Sequence, residues 1–132
     1  MKILFLAIAI LVLATGIVLW ESQFVTGLTT SLIHIAEQMP SQSIFDPDYP
    51  SQDFDTFQQA YQEFQKTWNG SKHLMYLFVG HTEADKIEST LQEAGMRYLS
   101  EDIPGYRSAR KKLIAELEKL RDLEKLSFDS FT

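Results

Sequence analysis

A chain of 132 residues accommodates one packed domain, and a composition of 45% apolar and 23% charged residues lies far from that of disordered segments. The absence of cysteine excludes disulfides, thiolate zinc sites and cysteine lipidation. A net charge of −6 argues against nucleic acid as a partner, because phosphate contacts require a clustered excess of Lys and Arg.

The strongest signal is at the N-terminus. Ile3 opens and Trp20 closes a run without a charged residue, bounded by Lys2 and Glu21. Its 18 residues would extend about 27 Å as a helix, close to the ~30 Å hydrocarbon thickness of a bilayer. Trp20 suits the headgroup level. The run therefore predicts a lipid-embedded anchor over residues 1–21, followed by a domain over residues 22–132. Lys2 and the α-amino group precede the span, and no Lys or Arg follows it until Lys66, which predicts the N-terminus inside and the body outside the cytoplasmic membrane. The competing reading is secretion after signal cleavage, with Val12 and Ala14 as the small residues before the cut. It would leave an unusually short signal, and the apolar run continues past the site through Ile17, Val18 and Leu19.

Beyond the span, Phe24, Leu28, Leu32, Ile35 and Met39 recur at steps of three and four and predict a helix running directly out of the membrane. Gly27, Thr29, Thr30 and Ser31 lower its helix propensity. Pro40, Pro47 and Pro50 predict a loop over about residues 40–52. Ser51 or Asp53 can then cap a helix whose Phe54, Phe57, Tyr61, Phe64 and Trp68 form a bundle seam, with Asn69 and Gly70 as its stop. The same aromatic stripe can also line a ligand cavity. A further apolar stripe runs through Leu74, Leu77, Phe78, Ile87, Leu91, Ala94 and Tyr98, with a kink or restart expected near Gly80, where Thr82 and Asp85 resemble an N-cap with an acid three residues on. Pro104 suits a first helical turn, Gly105 weakens it, and the last helix is expected to start near Tyr106. Its inner face is read as Tyr106, Leu113, Leu117, Leu120 and Leu123, with Glu124 as the polar alternative to Leu123. The expected fold is all-α, an antiparallel bundle of three or four helices behind one N-terminal transmembrane helix.

Trp68, the stretch Leu77, Phe78, Val79, Gly80, His81, Thr82, Glu83, Ala84, Asp85, Lys86, Ile87, Glu88, and the closing Glu124, Lys125, Leu126, Ser127 resemble a family of membrane-anchored bacterial proteins, numbered 4363 among domains of unknown function. The similarity covers most of the chain. It implies an anchored helical domain and supplies no activity, because the family has none assigned.

Two clusters invite a functional reading. His81, Asp85 and Glu88 share a helical face at steps of four and three, a spacing that can present several ligands to one metal. The alternative is structural, a His near a helix start with carboxylates that favour the helix dipole. His34 and Glu37 make a single His-x-x-Glu pair, whereas a carboxylate-bridged di-metal bundle needs two Glu-x-x-His motifs and two further Glu residues. No Gly-x-Ser-x-Gly, His-Glu-x-x-His or phosphate-loop pattern occurs, so no enzyme and no cofactor is expected. The second cluster is basic. Residues 21–55 carry six acids and no Lys or Arg, whereas the last helix holds Arg107, Arg110, Lys111 and Lys112 among its seven basic residues, so the two regions are expected to attract one another. Arg107, Arg110, Lys111 and Lys112 read first as a solvated helix face, and in the sharper reading as candidates for docking an acidic partner or an anionic envelope polymer. The leading expectation is an interaction subunit that docks on a membrane protein. The alternatives are an extracytoplasmic ligand sensor and a metal-dependent site at His81.

Overall fold

The computed structural model describes the backbone of residues 1–40 and 50–131 and the side chains of residues 1–40 and 54–125. These residues form four helices and no strand: α1 (Lys2–Gln38), α2 (Pro50–Val79), α3 (His81–Leu99) and α4 (Ile103–Phe131). The predicted loop falls mainly outside the described residues. Residues 50–52 are a correction to it, because α2 already begins at Pro50, where a fixed φ and a missing N–H suit a first helical turn.

Contacts run around a square. α1 packs on α2 and α4, and α3 packs on the same two helices, with the α2–α3 seam the sparsest of the four. Neighbours in this square are antiparallel. Phe78 at the foot of α2 lies 5.5 Å from Trp20 and 5.7 Å from Phe24, whereas Tyr106 near the start of α4 reaches back to Pro40. The result is an up-down-up-down four-helix bundle with short α2–α3 and α3–α4 connections.

α1 is one unbroken helix of 37 residues, about 55 Å long at the usual rise. Its first half contributes an 18-residue apolar segment, long and apolar enough to cross a membrane, and none of that segment is buried in the bundle. Its second half is core, with Val25, Thr29, Leu32, Ile33, Ile35, Ala36 and Met39 buried. The weak helix formers in this half are accommodated locally. Thr29 Oγ1 donates to the Val25 carbonyl at 2.7 Å and Thr30 Oγ1 to the Thr26 carbonyl at 2.7 Å, so a buried hydroxyl is satisfied without breaking the helix.

α2 departs from expectation at Asn69 and Gly70, which are helical and exposed instead of forming a stop. Trp68, Ser71 and Met75 continue the buried face across them, and packing on that face outweighs one glycine. A methyl group added at Gly70 would meet nothing within 4 Å. Gly70→Ala is therefore expected to stabilise the bundle by about 0.5–1 kcal/mol, read as a rise in thermal midpoint. The real break comes at Gly80, whose φ of +91° with ψ of 159° is open to glycine and strained for other residues. Gly80 is the N-cap of α3 and no side chain caps it, so Thr82 does not take the capping role its sequence position suggests.

The Asp102 N–H donates to the Arg97 carbonyl and the Glu101 N–H to the Tyr98 carbonyl, the paired bonds of a Schellman motif, with Glu101 left-handed at φ 63°. Asp102 then caps α4, its Oδ1 accepting from the Gly105 N–H at 3.0 Å while Oδ2 accepts from Arg97 at 2.8 Å. This cap starts α4 at Ile103, three residues before the expected Tyr106.

The core has two parts. Leu32, Ala36, Phe64, Trp68, Met75, Ile87, Leu91, Leu113 and Leu117 fill the middle, and Phe57, Ala94, Tyr98, Tyr106 and Ala109 close the end remote from the span. Phe57 and Tyr98 stack at 3.8 Å with 12° between their planes. Three residues assigned to inner faces are exposed: Phe54 at the top of the α2 seam, Leu77 at its foot, and Leu123, which yields the inner position to Glu124. Burial pushes the Glu124 carboxyl above the usual carboxylate range, and the Glu21 charge adds to the rise.

Candidate functional site

His81, Asp85 and Glu88 do lie on α3 near its start, but each faces a residue of α2. The His81 ring stacks on Tyr76 at 4.5 Å, Asp85 Oδ1 accepts from the Tyr76 hydroxyl at 3.0 Å, and Glu88 Oε1 accepts from Lys72 Nζ at 2.8 Å. These contacts clamp the two helices across Gly80. The described residues contain no group of three His, Asp or Glu placed to hold one metal ion.

The basic cluster divides in the same manner. Arg110 donates from Nε to the Met39 carbonyl at 3.1 Å and from Nη2 to the Glu37 carbonyl at 3.0 Å. α1 has no basic residue in its own last turn, so Arg110 places a cation at the negative end of that helix dipole. These two contacts are made to backbone carbonyls and not to the acidic side chains of residues 21–55. Arg107, Lys111 and Lys112 stay exposed. Lys112 borders an open polar groove of about 690 Å³ between α3 and α4, shared with Glu83, Lys86, Glu116 and Lys119. Thr90 Oγ1 donates to Glu116 Oε1 at 3.2 Å beneath it, while Glu116 Oε2 is buried without a partner. Charges of both signs alternate along the groove, which gives it no preference for one ionic ligand.

The apolar surface is more selective. Outside the α1 span, the large exposed hydrophobic residues described are Phe54, Leu77, Met96, Leu99 and Leu123. Leu77 and Leu123 lie at the end next to the span. Phe54, Met96 and Leu99 lie at the opposite end, on both sides of the α2–α3 seam, where they border a cleft of about 280 Å³. Its floor is Phe57, Tyr61 and Gly95, its rim includes Gln58, Gln62 and Gln65, and none of the residues lining it carries a charge. Gly95 shapes the floor. A Cβ there would sit 2.7 Å from the Tyr61 ring, so only glycine lets that ring lie flat on α3. Burial raises the Tyr61 phenol above its usual range.

Sequence reasoning did not single out Met96 and Leu99. Their signal was available: each is a large apolar residue beside the Leu91, Ala94, Tyr98 stripe and not on it, in a helix otherwise polar off that stripe. The aromatic stripe of α2 resolves into core at Phe57, Phe64 and Trp68, leaving Phe54 and half-buried Tyr61 at the cleft.

The fold and the cleft define an all-α four-helix bundle carrying an apolar, uncharged surface depression. No family model, curated protein or solved structure matches the chain.

Proposed function

We propose that this protein is a membrane-anchored interaction subunit, held by the α1 span and docking on another membrane protein through the cleft formed by Phe54, Met96 and Leu99. The observation that carries this reading is the cleft: an uncharged apolar depression with a glutamine rim, at the far end of a bundle whose flanks are polar. Interfaces with protein partners combine an apolar centre depleted of charge with a polar rim. The continuity of α1 through Val12, Ala14 and Trp20 supports an anchor that stays attached. Lys2 before the span, with no Lys or Arg after it until Lys66, supports an orientation with the N-terminus inside and the bundle outside. The resemblance at Trp68 and across Leu77 to Glu88 supports a bacterial anchored protein of the same kind. Arg107, Lys111 and Lys112 contribute a second, electrostatic part of the docking surface that steers an acidic partner.

Buried anchors at such interfaces are typically worth 2 kcal/mol or more, about 30-fold in affinity. The double substitution Met96→Asp with Leu99→Asp is therefore expected to reduce recovery of a stoichiometric partner from solubilised membranes by at least about 30-fold. Both positions are exposed, so the thermal midpoint of the protein should hold. Unchanged recovery in the double variant, or no stoichiometric partner for the unaltered protein, counts against the reading.

A further inference from the structure

The exposed hydrophobic residues next to the span have no role in the cleft, yet their position is tightly fixed. α1 runs without a break from span to bundle, so the height of the bilayer surface on α1 sets the height of everything packed on it. Trp20 stacks on Phe24 at 5.7 Å and meets Phe78 edge-on at 5.5 Å, while Phe24 meets Phe78 at 5.7 Å. This triad joins the foot of α2 to the point where the span ends. Leu77 is the next residue along, with 74% of its surface exposed. On the other neighbour of α1, the register of α4 is set by Arg110 at the Glu37 and Met39 carbonyls, and Leu123, thirteen residues nearer the span, is exposed.

Leu77 therefore lies within about 5 Å of the level of Trp20, and Leu123, thirteen residues below Arg110 on the antiparallel α4, lies roughly 6–9 Å above that level, at about 1.5 Å of rise per residue. The headgroup layer on each side of the hydrocarbon is roughly 5–7 Å deep. An exposed leucine near this height brings an apolar side chain to the level of that layer. Higher on the bundle, no large hydrophobic residue is exposed among those described until Phe54, Met96 and Leu99 at the far end. A leucine pair confined to the neighbourhood of the span's end fits an apolar layer that stops there.

We infer that Leu77 and Leu123, with Trp20, form a rim that seats in the headgroup layer of the same bilayer that holds the span. The bundle then has several points of membrane contact instead of one tether. It stands upright and holds the cleft roughly 25 Å above the rim, the length of α3 from His81 to Leu99. This seating rests on the anchored reading of α1. Its occupant is lipid because the surface is continuous with the span itself.

The chain contains no cysteine, so single nitroxide labels can be placed cleanly in the full-length protein. Leu77→Cys, Leu123→Cys, Leu11→Cys in the span and Glu63→Cys on the α2 flank would each be labelled after reconstitution into vesicles of phosphatidylcholine and phosphatidylglycerol. Collisions with oxygen and with a water-soluble nickel chelate would then be compared. The expected order of the oxygen-to-nickel ratio is Leu11 highest, Leu77 and Leu123 intermediate and several-fold above Glu63, and Glu63 equal to bulk water. Labels at 77 and 123 that match Glu63 while Leu11 remains lipid-exposed would overturn the seating and leave the anchor standing. A label at 11 that behaves as aqueous would overturn the anchor and the seating together.

Discussion

Trp68→Ala is expected to cost about 3–5 kcal/mol, a large share of the ~5–15 kcal/mol that holds a domain of this size together. Trp68 is the largest of the fully buried side chains, and it lies in the cluster that gathers Leu32 and Ala36 from α1, Ile87 and Leu91 from α3, and Leu113 and Leu117 from α4. Removing the indole leaves a cavity where all four helices meet, and helices collapse only partly into such a space. In a thermal melt followed by circular dichroism the midpoint should fall by roughly 12–20 °C, at about 4 °C per kcal/mol for a chain of this size. Trp68→Phe separates volume from polarity. The indole Nε1 is buried without a hydrogen-bond partner, so replacing it loses no bond and removes an unsatisfied donor. That variant should stay within about 1.5 kcal/mol of the parent. A Trp68→Ala loss below about 1 kcal/mol would mean that the helices do not converge on this residue.

Tyr106→Phe is expected to flatten the alkaline limb of the stability profile. Tyr106 is wholly buried, with Tyr98 edge-on at 5.0 Å and Phe57 at 5.8 Å, and its hydroxyl donates to the Pro40 carbonyl at 2.8 Å. Burial drives its phenol well above the usual range. Arg110 offsets part of that rise and Tyr98 adds to it. Above about pH 10 the unfolded chain releases this proton while the folded chain keeps it, so the folded state binds more protons and stability falls as pH rises. The slope approaches ~1.4 kcal/mol per pH unit for one such group. Tyr106→Phe should remove that contribution and, near neutral pH, cost about 0.5–1.5 kcal/mol for the lost hydrogen bond. Denaturant melts at several pH values between neutral and strongly alkaline check both effects. A parent and variant with parallel profiles would show that Tyr106 is not sealed from water.

What was legible in the sequence followed from strong, repeated signals. The long apolar segment of α1 was visible because eighteen consecutive residues lack charge, and the seam of α2 because Phe57, Tyr61, Phe64 and Trp68 repeat at helical spacing. What was misread turned on single residues whose effect depends on packing. Gly70 has the identity of a stop but sits on an exposed face, whereas Gly80 adopts the conformation that ends α2. Asp102 caps α4 only because Arg97 and the left-handed Glu101 bring it round, a geometry with no local sequence signature. Leu123 was preferred to Glu124 on polarity, yet the direction of α4 against Glu21 turns the carboxylate inward.

The candidate site was less legible than the fold. Arg110 belongs to a conspicuous basic cluster, but its guanidinium serves the end of α1. His81, Asp85 and Glu88 share a face, but that face meets Tyr76 and Lys72. The cleft depends on how α2 and α3 separate near Gly95, which periodicity within either helix does not encode.

The most direct test of the account is a site-specific crosslink in intact membranes. A benzophenone placed at Leu99→Cys in the otherwise cysteine-free chain would be compared with one at Glu63→Cys on the flank of α2. The account predicts one discrete adduct with a membrane protein from position 99, lost when Met96→Asp is added, and none from position 63. No adduct from position 99, or the same products from both positions, would contradict it.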